Sequence, residues 1–221
     1  MLSGISKIFG LLGTSVIILA IVISALRYVG RRGERYSIFN HFISELGEQG
    51  VSPAAWVFNR GLTLGGLLLL PFMVGLGASF QNVWGWLGML AGLIASLGVA
   101  AVGLYPMNNL TPHVRAAMTY FRAGLVMVIF FALAILFQPS PRLPPAVNLL
   151  SVIAALTYAS FLWLLRTPSK ESDQSAGDSP AEDRLDPPED AERPWMWWTA
   201  LVEWLVFFAT IAWIFGIAAV G

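Results

Sequence analysis

Long apolar blocks separated by short polar strings set the plan of this chain. Six blocks, at residues 8–26, 53–77, 83–104, 114–137, 146–165 and 195–220, approach or exceed the ~20 residues that a helix needs to cross a bilayer core of ~30 Å. Backbone N–H and C=O groups in lipid must be satisfied within the segment, so the blocks are read as helices and not strands. Tryptophans stand near their ends, at Trp56, Trp84, Trp86, Trp163, Trp195, Trp197 and Trp198, where amphipathic rings favour the headgroup level. The pattern predicts an all-α, polytopic membrane protein with six transmembrane helices.

The polar string after the first block has a finer pattern. Over 37–48, Ile38, Phe39, Phe42, Ile43 and Leu46 fall on one helical face, and Asn40, His41, Ser44, Glu45 and Glu48 on the other. This predicts one short interfacial helix, with Gly47 and Gly50 at its stop and turn. Ser52 and Pro53 read as the N-cap and first turn of the second span.

Composition agrees with the bundle. The chain is 57% hydrophobic and only 12% charged, about half the charge of a soluble domain. Net charge is zero, so no nucleic-acid partner is implied. The first apolar run follows Lys7 and lacks a convincing small-residue cleavage site, so it reads as a retained helix. The Ser-, Pro- and acid-rich stretch 166–194 has almost nothing to bury and is read as a disordered acidic linker within a single membrane domain.

The connections divide into two sides. Side A holds the short connections after the second and fourth spans and both termini. Side B holds the 27–52, 105–113 and 166–194 loops. Arg27, Arg31, Arg32, Arg35, Arg115, Arg166, Lys170 and Arg193 lie on side B, against Lys7 and Arg142 on side A. The excess of basic residues predicts that side B is cytoplasmic in a cytoplasmic-membrane protein and that both termini lie outside.

Three constellations carry candidate chemistry. His41, Ser44 and Glu45 sit together at i, i+3 and i+4 in the polar string. Asn108 and His113 flank the turn into the fourth span. Arg122 and Glu203 lie within the fourth and sixth spans, each ~12–14 Å below side B at 1.5 Å per residue. Charges at that depth are costly unless they face the interior, so the two are predicted to meet in a polar pocket. Asn59 and Arg60, about two turns into the second span, are placed at the same pocket. Small residues at Gly61 and Gly65, and at Gly88, Gly92 and Ser96, permit close helix crossing within the monomer.

Other chemistry is excluded. No cysteine is present, which removes disulfides and thiolate catalysis. Two histidines without clustered carboxylates make no metal site, and no lysine stands deep in a span to hold a Schiff base. No phosphate loop is present, and no cofactor is implied. A Ser44 hydrolase with His41 or His113 as base can be drawn, but no nucleophile elbow supports it.

The stretch Ile43, Ser44, Glu45, Leu46, Gly47, then Ser52, Pro53, then Trp56, Val57, Phe58, Asn59, Arg60, Gly61 resembles an uncharacterised prokaryotic family of six-span membrane proteins, the domain of unknown function 998. Tyr105, Pro106, Met107 and Asn108, followed by Pro112, His113, Ala117 and Phe121, fit the same group. The likeness covers most of the chain outside 166–194. The chain is more faintly similar to the eukaryotic family of autophagy modulators and GPI-lipid remodelling factors. That family's Ile-Ser-Asp-Thr-Gly stretch is matched here with Glu45 and Leu46 in place of Asp and Thr. The prokaryotic resemblance implies no defined activity; the eukaryotic one implies lipid handling, and a polar loop that faces outside.

The best functional reading is a protein that binds a lipid headgroup or small amphiphile between the second, fourth and sixth spans. His41, Ser44, Glu45, Asn59, Arg60, Asn108, His113, Arg122 and Glu203 would form the site, and membrane lipids are the implied partners. A structural scaffold ranks next, then a proton-coupled transporter, although no internal repeat supports one, then an intramembrane hydrolase. A binding protein is favoured over an enzyme.

Overall fold

A computed structural model of the chain describes residues 2–141, 143–166 and 194–221. All but the end residues of the 166–194 stretch, and with them Lys170 and Arg193, lie outside the described residues, as does Arg142.

The described residues form six long helices and no strand. They are α1 (Gly4–Arg27), α2 (Ala55–Phe80), α3 (Val83–Leu104), α4 (Leu110–Leu136), α5 (Asn148–Leu164) and α6 (Trp198–Val220). Each contains a stretch long and apolar enough to cross a membrane, α5 together with the 3-10 turn that leads into it. The chain is a multi-pass membrane protein. Each helix packs on its sequence neighbours, and α1 meets α6 to close a ring.

Small residues hold the ring tight. A methyl group built on Gly66 would sit 2.6 Å from the Ala100 N and 2.7 Å from the Ser96 O, so α2 and α3 touch backbone to backbone. Gly65 brings α2 as close to Gly13 of α1, and Gly88 makes room for Phe131 between α3 and α4. The small-residue spacing seen in the sequence therefore serves packing inside the monomer. Leucines such as Leu64, Leu90, Leu97 and Leu156 are exposed, as lipid-facing residues are. Trp56, Trp86, Trp163, Trp195 and Trp198 are exposed at helix ends, whereas Trp204 and Trp213 are buried in the core.

The side-B strap differs from the expected helix. Residues 38–40 form a turn, and only Ile43–Gly47 is helical, as a 3-10 turn. Polar side chains take the backbone groups that a helix would use. The Glu45 Oε1 accepts from the Phe42 N at 2.8 Å, and the Tyr36 hydroxyl donates to the Phe42 O at 2.9 Å. Phe42, Ile43 and Leu46 are buried, but Ile38 and Phe39 stay exposed. The second span also begins later than its Ser52 and Pro53 signal. Its N-cap is Ala54, and the Ser52 hydroxyl has no hydrogen-bond partner. Here the Ser52 carbonyl, not its side chain, meets the incoming helix by accepting from the Ala55 N at 3.1 Å.

Candidate functional site

The strap crosses the side-B end of the ring and is sewn down on both flanks. Toward α6, the Trp197 N donates to the Phe39 O at 2.7 Å and the Asn40 Nδ2 to the Pro194 O at 3.1 Å. The Ile43 N donates to the Glu203 Oε2 at 2.6 Å, and the Trp204 Nε1 to the His41 O at 3.3 Å. On the other flank, the Asn59 Nδ2 donates to the Gly47 O at 3.0 Å. Asn108 grips Gln49 twice, accepting from its N at 2.7 Å and donating to its O at 2.8 Å. Tyr28, Tyr36 and His41 pack together with ring centroids 5.1–5.3 Å apart, Tyr28 edge-on to the other two. Burial pushes the Tyr36 phenol well above its usual pKa, and Glu203 and Glu45 add to the effect, so it stays a hydrogen-bond donor.

Under the strap lies a cavity of about 130 Å³ lined by residues from all six helices and by Ile43 and Ser44 of the strap. Most of its wall is aliphatic or aromatic. The polar side chains on it are Thr14, Ser44, His113, Tyr120, Glu203 and Thr210.

Three of the nine residues singled out in the sequence line this cavity: Ser44, His113 and Glu203. His113 is buried, and its Nδ1 lies 2.7 Å from the Tyr105 O. A carbonyl can only accept, so Nδ1 carries the proton and the neutral ring keeps Nε2 as an acceptor. Glu203 has one oxygen on the Ile43 N. The Ser44 hydroxyl has no hydrogen-bond partner among the described residues.

The other six lie elsewhere. His41, Glu45 and Asn59 are buried in the strap and its seat, and Asn108 is exposed at the α3–α4 turn. Arg60 is exposed on α2, its guanidinium 5.5 Å from the centre of the Trp56 ring one turn toward side B. Arg122 is exposed on α4 and makes no ion pair with Glu203. Depth placed these two together, but the angle about the helix separates them. Arg115, Thr119, Arg122, Val126 and Ile129 form one exposed stripe. Side chains on α4 lean toward its N-terminus, so Arg122 can extend its charge toward side B.

The sequence reading passed over Thr14, Tyr120 and Thr210, and with them the fully buried Tyr158. The Tyr158 hydroxyl lies 3.1 Å from that of Tyr120 and 2.9 Å from that of Thr210. A usable signal was present. Tyr120 follows His113 by seven residues and Thr210 follows Glu203 by seven, which is two helical turns and therefore the same face. Among the described residues, no group of three His, Cys, Asp or Glu side chains could hold a metal ion.

No curated protein and no solved structure matches the chain. The family model described as "Protein of unknown function (DUF998)" matches residues 11–220. That match runs from α1 to the end of α6 and includes the strap and every residue on the cavity wall, and the chain belongs to the DUF998 family.

Proposed function

We propose that this membrane protein binds a small amphiphile, with the headgroup between Ser44, His113 and Glu203 and the apolar part along the cavity below. The observation that carries the reading is the distribution of polarity on the wall. Most of the wall is apolar, and Ser44, His113 and Glu203 stand at its strap end, where Glu203 meets the Ile43 N beside Ser44. Apolar walls with a few convergent polar groups are the usual make-up of a small-molecule site. A volume of about 130 Å³ holds roughly ten water-sized positions at ~10–15 Å³ each, the bulk of one short chain and not of a two-chain lipid.

The headgroup class follows from the donors and acceptors. The His113 Nε2 accepts in the neutral ring, the free oxygen of an ionised Glu203 accepts, and the Ser44 hydroxyl can do either. Such a cluster favours a headgroup rich in N–H or O–H donors, an amine or an alcohol.

Decylamine binding to the full chain in nanodiscs, measured by native mass spectrometry, tests this. Saturable binding is expected. Glu203→Gln keeps an acceptor for the Ile43 N but turns an amide N–H₂ toward the headgroup. Its affinity for decylamine is expected to fall about tenfold, the scale of one lost hydrogen bond. Arg115→Gln, on the outer stripe, should bind as the parent does. No saturable binding, or equal binding by Glu203→Gln and the parent, would overturn the proposal.

A further inference from the structure

We infer that the cavity selects amphiphiles carrying a second hydrogen-bonding oxygen about 10 Å along the chain from the headgroup, an inference that rests on the amphiphile-binding reading above. The geometry is a ladder with two rungs. The upper rung is Ser44, His113 and Glu203; the lower rung is Thr14, Tyr120 and Thr210. On α4 and on α6 the rungs are seven residues apart, ~10 Å at 1.5 Å per residue. The wall between them is apolar, with Ala117 on α4 and Val206 on α6.

Close contacts between neighbouring helices link the residues of the lower rung. Gly13, beside Thr14, approaches the Gly65 backbone, and Gly66 approaches Ser96 and Ala100. A methyl group built on Gly98 would sit 2.9 Å from the Tyr120 N. The Tyr120 hydroxyl then reaches Tyr158, and Tyr158 reaches Thr210. The chain of contacts runs from α1 through α2, α3, α4 and α5 to α6.

The lower rung has hydrogen-bonding capacity to spare. Thr210 also lies 2.8 Å from the Val206 O, which can only accept. If Thr210 donates there, Tyr158 donates to Thr210 and Tyr120 to Tyr158. The Tyr120 oxygen then keeps an acceptor lone pair. If the chain runs the other way, Tyr120 points its hydrogen at the cavity. In both directions the series ends on Tyr120, a residue of the cavity wall, with hydrogen-bonding capacity to spare. Thr14 adds a second vacancy. It is 2% exposed, and its hydroxyl has no partner, although helical threonines commonly donate to the carbonyl one turn back. A plain hydrocarbon chain leaves both unsatisfied. A chain with a hydroxyl at this level supplies a partner for the open end of the series at Tyr120.

The test compares decylamine with the aminodecanol that carries its hydroxyl at the far end, using the full chain in nanodiscs and affinities referred to the concentration in the bilayer. The aminodecanol is expected to bind about fivefold tighter. The advantage should vanish for aminobutanol over butylamine, whose hydroxyl cannot reach the lower rung. It should also vanish in Thr14→Val with Tyr120→Phe, read as the ratio of the two affinities in that variant. Equal affinities of decylamine and aminodecanol for the parent protein would overturn the inference and leave the amphiphile reading intact. So would an advantage that survives the double substitution. Binding of neither amine would sink the amphiphile reading and this inference with it.

Discussion

Glu203 and Ile43, 160 positions apart in the chain, are joined by a hydrogen bond of 2.6 Å from the Ile43 N–H to the Glu203 side chain. Through this bond a residue on the cavity wall also holds the roof of the cavity. Glu203→Ala leaves a largely enclosed N–H without an acceptor, at a cost of about 1–3 kcal/mol. Hydrogen exchange at Ile43 should then accelerate by roughly ten- to a hundredfold. Glu203→Gln supplies an acceptor of the same reach and should keep the protection. Unchanged exchange in Glu203→Ala would mean that the strap is held by its other anchors alone.

The α2–α3 crossing sets a second expectation. In an exposed helix Gly→Ala gains about 1 kcal/mol of helix propensity. At Gly66 the added methyl meets the backbone of Ala100 and Ser96, which no side-chain rotation can relieve. Overpacking costs typically ~1–3 kcal/mol, and backbone contacts fall at the upper end. Gly66→Ala should therefore lower the thermal midpoint in detergent, whereas Gly4→Ala, with nothing within 4 Å, should not. A raised midpoint for Gly66→Ala would show that the two helices can separate freely.

Orientation is testable without background labelling, because the chain has no cysteine. Arg27, Arg31, Arg32, Arg35, Arg115 and Arg166 are all exposed at or beyond the side-B ends of their helices. The charge rule places that end in the cytoplasm. In intact cells a membrane-impermeant maleimide should label Ser140→Cys on side A and spare Asn109→Cys on side B. The opposite pattern would reverse the orientation.

How much of this was legible in the chain depends on what each feature answers to. Hydropathy is local, and the span 83–104 read from it coincides with α3 (Val83–Leu104). The strap's shape is not local. Its alternation of apolar and polar residues suits a helix, but Phe39 and Ile43 are fixed by Trp197 and Glu203, about which periodicity says nothing. Depth is legible from residue counts, and it set Arg122 and Glu203 level. The angle about the helix decides whether they meet. Arg122 shares a stripe with Arg115 and Thr119, seven and three residues earlier, and that stripe is exposed. The lower rung escaped for another reason. A lone Thr14 or Thr210 in an apolar run ordinarily donates to its own helix backbone, so neither stands out until the helices are assembled.

The hydroxyl series offers the sharpest check on that assembly, because it joins α4, α5 and α6 through atoms that no single helix can position. Tyr158 is fully buried and sits between Tyr120 and Thr210. Tyr158→Phe preserves the ring, which Gly124 makes room for, and removes only the central hydroxyl. Thr210 retains its bond to the Val206 O, so the damage should be moderate, about 1–2 kcal/mol. Thr210→Val removes the other end of the same bond. In a double-mutant cycle the pair should couple by about 0.5–1.5 kcal/mol, since the second change has less left to break. The same cycle between Tyr158→Phe and Asn82→Ala, whose N-cap bond to the Gly85 N lies at the side-A end of α3, should be additive within ~0.5 kcal/mol. Additivity in the first cycle would mean that the Tyr158 and Thr210 hydroxyls act separately, and the series from Tyr120 to α6 would be broken at that link.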